Sequence, residues 1–418
     1  MAKLTFQELQ GTVDSHASAL RCVTHYQPAG GAGDKVFPPT YEGAKYAVEK
    51  RIINGQEDPV DCILLDSVAS QANRIELALL EAHRAGRLRL PTLSVAFESR
   101  ELRKPLVITS WEAPHRAADA IFRDSLLEGK PFRQSSMGSL LNDADLHHAT
   151  GLYQMCPGAL VFGIWDSTGP RGGLGAKFQR ALVSEIVAVQ AVAGAKTASR
   201  MDPLQIQRKA GPLFRRPDGS WSIDREQAQK KDGRPILAKL TGKGEPVVWD
   251  EKKEQDEGRP SVVNHGNVTP TITESAGGIT MREARQTTVL SLPALRRLRF
   301  PLPGQRESQV EVDRAARTVL AALALCGAVL AREEGADLRS RCHLVPEGDF
   351  VWEVLTPGKP SMHYELCGDD AIAMVHAAVQ AAERVGLTWK GEVDLTPSAD
   401  LMTLLERSQA LVMAEGVD

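Results

Sequence analysis

The chain has 418 residues, 42% of them hydrophobic and 25% charged, with 50 Lys and Arg against 53 Asp and Glu and a formal net charge of −3. Such a composition supplies core for two or three domains and excludes a disordered or fibrous chain. It confines any nucleic-acid surface to a local patch, because nearby charges and not the total set the field at a site. The six cysteines lack C-x-x-C spacing and read as buried, reduced thiols. The N-terminus lacks the apolar stretch of a signal peptide, and the longest apolar run, 319–331, is too short to span a bilayer, so the expectation is a cytoplasmic protein with no membrane partner.

Taken in order, Cys62-Ile-Leu-Leu, 93–97 and 105–109 are strand candidates, and 72–85 has the apolar spacing of a helix, with Ile75, Leu79 and Ala82 on one face. Residues 114–127 read as a further helix stopped by Gly129 and Pro131. The apolar run 159–165 reads as a strand. It leads into Asp166-Ser-Thr-Gly-Pro-Arg-Gly-Gly-Leu-Gly-Ala-Lys177 and then a long apolar segment, 178–195, read as a helix: strand, glycine-rich loop, helix. From about residue 200 to 260 Gly, Pro, Lys, Asp and Glu dominate, which marks an insertion partly ordered around Trp221 and Trp249. Residues 261–286 read as a polar β-hairpin closed by Gly277-Gly278 that projects from the body. Helices at 314–332, 369–385 and 398–414 follow.

The glycine-rich loop fails both nucleotide fingerprints. Walker A requires Lys directly after its last glycine, where Ala176 stands, and the dinucleotide pattern requires a third glycine where Phe178 stands. With Arg171, Gly172, Gly173, Lys177 and Arg180 the loop offers amides and positive charge to a phosphate; equally, it reads as a tight connection with basic residues in solvent. A second cluster, Asp66-Ser-Val-Ala-Ser-Gln-Ala-Asn-Arg74, opens a helix. Ser67 or Ser70 can cap it, while Gln71, Asn73 and Arg74 crowd a first turn that normally favours acids and suit phosphate and sugar contacts. Arg133, Ser135 and Ser136 form a third such loop, and 196–202, with Arg200, a fourth. Four loops combining basic and small hydroxyl residues fit a groove that tracks a sugar–phosphate backbone; the run Arg296-Arg-Leu-Arg299 joins it or lines solvent. Catalytic patterns are weaker. No H-x-x-x-H, H-E-x-x-H or G-x-S-x-G occurs, His147-His148 is a poor metal candidate, and Cys342-His343 are adjacent, which separates their side chains on a strand. Asp34 and Asp66 are candidate acids without an identifiable partner.

The segments Thr40-Tyr-Glu-Gly-Ala-Lys45-Tyr, Asp66 to Glu76, Arg133-Gln-Ser-Ser-Met-Gly, Trp165 to Arg180 and Gln286 to Pro301 resemble the crRNA-backbone RAMP subunit of type I-G (formerly I-U) CRISPR Cascade complexes. The resemblance implies an α+β fold: an RRM-like (ferredoxin-like) palm over 1–199 and 287–418, interrupted by the insertion 200–260 and a β-hairpin thumb 261–286. It implies a non-catalytic scaffold, without cofactor or metal, that polymerises along crRNA and displays the spacer for pairing with target DNA. The implied partners are crRNA, target DNA, other copies of the chain, the Cascade large subunit, the crRNA-processing end-cap subunit and a recruited helicase–nuclease. By carry-over, Lys45, Ser70, Gln71, Asn73, Arg74, Arg133, Ser135, Ser136, Arg171, Gly172, Gly173, Lys177, Arg180 and Arg200 contact RNA, and Thr269, Ile272 and Met281 sit on the thumb. Two alternatives stay open: a backbone subunit in which Asp34 or Asp66 cuts RNA with a metal, and a nucleotide-binding enzyme using the glycine loop.

Overall fold

A computed structural model of the chain describes residues 1–53, 57–169, 175–241, 244–250, 258–274 and 276–415. Two units emerge: 1–192 with 278–406, and 193–277 with 407–418.

In chain order the first unit contains β1 (Ala19–Pro28), β2 (Val60–Asp66), α1 (Val68–Arg84), the short helix α2 (Gly158–Phe162), the two-residue strands β3 (Ile164–Trp165) and β4 (Lys177–Phe178), and β5 (Leu182–Val189). It resumes with β6 (Glu283–Ser291), α3 (Val310–Glu333), β7 (Val351–Leu355) and α4 (Gly368–Arg384), and only the first part of α5 (Ala399–Glu415) belongs to it. The strands assemble in the order β7-β1-β6-β5-β2, each antiparallel to its neighbour, with Leu20 opposite Leu290 and Ser184 opposite Thr288. Alternation sets the faces: Leu20, Cys22 and Tyr26 of β1 are buried, while Val23 and His25 turn to the accessible side.

Helices α1 and α3 cover the buried face. Gly327 sits at their crossing, where an added Cβ would lie 2.7 Å from Ile75 Cγ2 and 3.0 Å from Leu79. A larger residue there would force the helices apart. Helix α3 is apolar nearly all round, because it runs through the core. It alone among the described residues is long and apolar enough to cross a membrane, having extended beyond the run 319–331 into more polar ends, yet 83% of its most apolar window is buried inside the protein. Five cysteines are buried; burial pushes Cys22 to about 11 and Cys326 and Cys342 to about 12, which keeps them protonated, while Cys367 is exposed.

Three sequence expectations are corrected in this unit. Residues 178–195 do not form a helix: their β-branched core, Leu182-Val-Ser-Glu-Ile-Val-Ala-Val189, is a central strand between β6 and β2. The expected strand 159–165 is mostly helix α2, which ends at Gly163 and leaves only β3. The expected helix 114–127 is a 3-10 turn Arg116–Ala118, a helix Ala120–Arg123 capped by Asp119, and a strand Ser125–Leu127.

The second unit holds a five-stranded sheet in the order Trp221–Ser222, Phe214–Arg215, Arg234–Leu240, Lys230–Lys231, with Pro246–Val248 also on Arg234–Leu240. Phe214, Ala228 and Leu237 are its core, packed by Val247 and Trp249. A separate ribbon pairs Lys196–Arg200 with Val268–Thr273. The hairpin expected across Gly277-Gly278 is thereby corrected: Val268–Thr273 pairs back to Lys196–Arg200, while Ile279 bridges to Val36 and the chain enters β6 of the first unit.

One buried ion pair ties α1 to the segment beneath α2. Glu76 accepts from Arg116 Nε and Nη2, both at 2.6 Å, and Arg116 Nη1 donates to the Gly163 carbonyl at 2.9 Å. Removing one partner leaves a buried charge unmatched. Glu76→Ala is expected to lower stability by about 3–5 kcal/mol in denaturant unfolding.

Candidate nucleic-acid interface

Helix α1 starts where Ser67 accepts from the Ser70 amide at 3.2 Å. Its first turn, Val68, Ala69, Ala72 and Asn73, forms one wall of a cleft of about 880 Å³. Apolar side chains of α2, β3, β4 and β5 (Leu160, Phe162, Ile164, Phe178 and Val183) provide the floor, and Lys177, Arg180 and Arg297 are among the polar lining residues. Gly163 makes the closing turn possible. Its φ of +86° suits glycine, and a Cβ there would lie 3.1 Å from the Phe178 carbonyl.

Among its described lining residues the cleft has no Asp or Glu, although the chain has more acids than bases. Arg116 lines it too but is neutralised from behind by Glu76, whose carboxyl burial pushes up to about 7 against the pull of the guanidinium. Arg297 donates to Gln179 at 3.1 Å, and Lys177 Nζ lies 5.4 Å from the Trp165 ring centroid. Trp165 is 60% exposed, an unusual place for an indole. The cleft therefore offers cations at its edge and an apolar surface within, which suits an amphipathic anion.

The predicted residues divide sharply. Asn73, Lys177 and Arg180 line the cleft. Ser70 is half-buried in the first turn of α1, next to that wall. Gln71 is buried, and Arg74, 35% exposed at its side chain, is engaged within the chain. Gln71 Nε2 donates to Asp66 at 2.6 Å, while its Oε1 accepts from Ser184 Oγ and Gln286 Nε2. Arg74 spends its guanidinium on Asp66 at 3.0 Å and on the carbonyls of Asp337 and Leu338. Asp66 is thus the buried counter-ion of this network and not a free acid, and Asp34 lies in an exposed turn after β1. Among the described residues no group of three or more His, Cys, Asp or Glu is placed to hold a metal.

Ser135 is also corrected: it is buried, caps the helix Ser136–Asn142 by accepting from the Gly138 amide, and donates to the Phe132 carbonyl. Ser136 is exposed. Arg133 is mostly buried and pairs with the fully buried Asp166, while its Nε and Nη2 are buried with no hydrogen-bond partner among the described residues. This pair stands at the entry to the glycine-rich segment, whose Arg171, Gly172 and Gly173 lie outside the described residues. No helix follows that segment, so the expected helix N-terminal amides are missing from the argument for phosphate. Lys45 is exposed in a turn bridged by Tyr41 and Lys45. Of the basic run, Arg296 is tied to the carbonyls of Ser15 and Ala17, and Arg299 pairs with Asp313.

In the second unit Thr269 and Ile272 are exposed on the ribbon, Ile272 by 75%. Arg200 ends the partner strand and donates to the Gly266 carbonyl at 2.8 Å. Met281 leaves the group, since it is partly buried against the Val36–Ile279 cluster of the first unit. Sequence reasoning missed Asp202. Its carboxylate accepts from the amides of Gly266 (2.6 Å), Leu204 (3.2 Å) and Ile206 (3.2 Å), and so fixes a loop that exposes Met201 and Leu204. Trp165 was also missed as a site residue; its place after an apolar run gave no sign of exposure.

The fold is α+β, and its cleft sets cations beside apolar side chains. Residues 20–193, which supply every cleft residue except Ala294, Arg297 and Leu298, match the family described as CRISPR-associated protein GSU0053 (Cas_GSU0053). Over these residues, somewhat less than half of its length, the chain is similar to a CRISPR-associated family. No curated protein matches the chain.

Two measurements check these assignments. Arg74→Ala, which leaves buried Asp66 with only Gln71, is expected to cost roughly 1–3 kcal/mol in urea unfolding, whereas Asn73→Ala stays within about 0.5 kcal/mol. Asp202 is held below the ordinary aspartate value of 3.8, chiefly by the Gly266 amide. A depressed value means that its hold on the loop is present above 3.8 and lost as pH falls through the lower, folded-state value. Pepsin cleavage at Met201–Leu204 is expected to set in only below that point, and Asp202→Asn to open the loop at neutral pH to chymotrypsin.

Proposed function

We propose that this CRISPR-associated chain is a non-catalytic scaffold that binds crRNA along its backbone and presents the spacer for pairing with target DNA. The observation that carries the reading is the charge of the cleft: three rim cations, Lys177, Arg180 and Arg297, and no lining carboxylate among the described residues, in a chain of net charge −3. A site that neutralises phosphates but holds no base-specific array of donors and acceptors suits sequence-independent binding, as a guide of variable sequence requires.

The strand order supports an RRM-like palm. Strands β1, β5, β6 and β7 lie side by side in the order β7-β1-β6-β5, all antiparallel, with α1 between β1 and β5 in the chain and α3 between β6 and β7. That is the order of a ferredoxin-like βαββαβ unit, here with β2 added at an edge. The exposed ribbon, with Thr269 and Ile272, and the loop that Asp202 holds with Met201 and Leu204 outward, fit a thumb with an apolar tip. Other copies of the chain, the large subunit, the end-cap subunit and a recruited helicase–nuclease are the partners such a scaffold serves.

The test is purification from cells expressing the cognate CRISPR array, followed by sizing and sequencing of the bound nucleic acid. Short RNA carrying spacer sequence on a multimeric particle is expected; a nucleic-acid-free monomer would overturn the reading. Arg180→Glu and Arg297→Glu are each expected to weaken RNA binding about tenfold across sequences and to lower the salt slope by about 0.7 per lost phosphate contact.

A further inference from the structure

Charge is unevenly divided along the chain. Residues 193–277 hold 15 of the 50 Lys and Arg but only 12 of the 53 Asp and Glu, a net of +3 that leaves −6 for the remainder. The small sheet of that unit shows where part of the excess lies. Trp221 stands directly across from Arg215 on the neighbouring strand and is 41% exposed, with the His265 ring edge-on at 5.9 Å. The backbone of Arg215 accepts from the Gln229 amide at 2.8 Å, which brings the strand Lys230–Lys231 alongside; successive side chains alternate, so Lys231, paired with Arg234, shares the face of Arg215 and Trp221 while Lys230 turns to the other.

Lys231 in turn lies directly opposite Arg234, and all three of Lys230, Lys231 and Arg234 are exposed. Like charges placed opposite each other on paired strands destabilise the sheet. The nearby acids relieve little of this. Asp218 is engaged by the amide and hydroxyl of Ser220, Asp224 caps the turn Arg225–Gln227, and Asp232 alone sits in the tip between Lys231 and Arg234. Cations without ion pairs among the described residues, beside an exposed indole, have the chemistry of a surface for a single nucleic-acid strand: phosphates along the cations and a base stacked on the ring.

We infer that the sheet of the second unit binds a single nucleic-acid strand through Trp221, Arg215, Lys231 and Arg234, independently of the cleft in the first unit. A polypeptide partner would need acceptors for three cations and a seat for the indole; a polynucleotide supplies both at every step. The inference does not depend on which RNA, if any, the cleft holds.

The test uses the full-length protein at low salt and fluorescence anisotropy with labelled oligothymidylate and oligouridylate. Trp221→Ala is expected to weaken binding roughly 5- to 150-fold, the range for loss of one stacked base, while Trp221→Phe stays near wild type. Lys231→Glu/Arg234→Glu is expected to lower the salt slope by about 0.7 per cation removed. Preference for oligothymidylate identifies a DNA strand and preference for oligouridylate an RNA strand; either supports the inference. With Arg180→Glu/Arg297→Glu, oligonucleotide binding that remains sensitive to Trp221→Ala separates this surface from the cleft, whose own readout is co-purifying RNA. Wild-type affinity for both oligonucleotides in Trp221→Ala and in Lys231→Glu/Arg234→Glu, with unchanged thermal unfolding, would overturn it. So would loss of binding only in the cleft variants.

Discussion

The ion pair between Glu76 and Arg116 is the constraint on which the first unit turns. Both carboxylate oxygens accept from the guanidinium, and its third arm reaches the Gly163 carbonyl, so one side chain joins α1 to the end of α2. The surroundings are built to it. Arg116 takes a φ of +52°, a costly backbone state, and its guanidinium lies 5.6 Å from the Phe162 ring centroid. Gly158 leaves no room for a side chain against Trp111 and Glu76. A pair so enclosed adds little net stability over an apolar substitute, but breaking it is expensive, and that asymmetry favours one arrangement of α1 and the cleft floor.

That arrangement decides which polar residues at the start of α1 are free. Val68, Ala69, Ala72 and Asn73 face the cleft, whereas Gln71 and Arg74 turn to the sheet. There they complete a chain of hydrogen bonds: Tyr26 to Gln286, Gln286 to Gln71 and Ser184, Gln71 and Arg74 to Asp66. Buried polar groups with every partner supplied fix register between β1, β6, β5 and α1 more sharply than apolar contacts do. Gln71 and Arg74 of the polar cluster that opens α1 thus have structural partners, and the cleft beside it gets its cations from β4 and the residues near it, together with Arg297.

Much of the helical part was legible, because its signals are local. Helices α3, α4 and α5 follow periodic apolar runs, and α4 begins with Asp369 and Asp370 and is followed by Gly386 at φ +90°. Strand β5 was not legible, for a physical reason. A central strand buried toward both faces at its end, through Ile186, Val187, Ala188 and Val189, reads as an unbroken apolar run, which periodicity cannot tell from a helix. The ribbon was missed because its pairing is nonlocal. Val268–Thr273 bonds to a strand some seventy residues earlier, whereas a nearby Gly-Gly invites a tight hairpin. Residue type was visible at the candidate site, but direction was not: Gln71 and Asn73 are two positions apart, and that offset alone sends one into the core and the other to the cleft.

On the proposed reading, separating grip from recognition accounts for the sparse aromatic content, 5% of the chain. A protein that reads bases by stacking needs rings in its binding surface; one that leaves sequence to base pairing needs cations and must keep carboxylates away. In the first unit the cleft meets the second requirement while the rest of the chain keeps its acids, so a near-neutral total coexists with a locally positive edge. Rings are then placed sparingly: Trp165 is exposed beside Lys177, and Trp221 is exposed opposite Arg215. In both, an indole that folding alone would bury stays in solvent next to a cation. That pairing is poor economy for stability and a good one for a ligand with a flat ring and a phosphate.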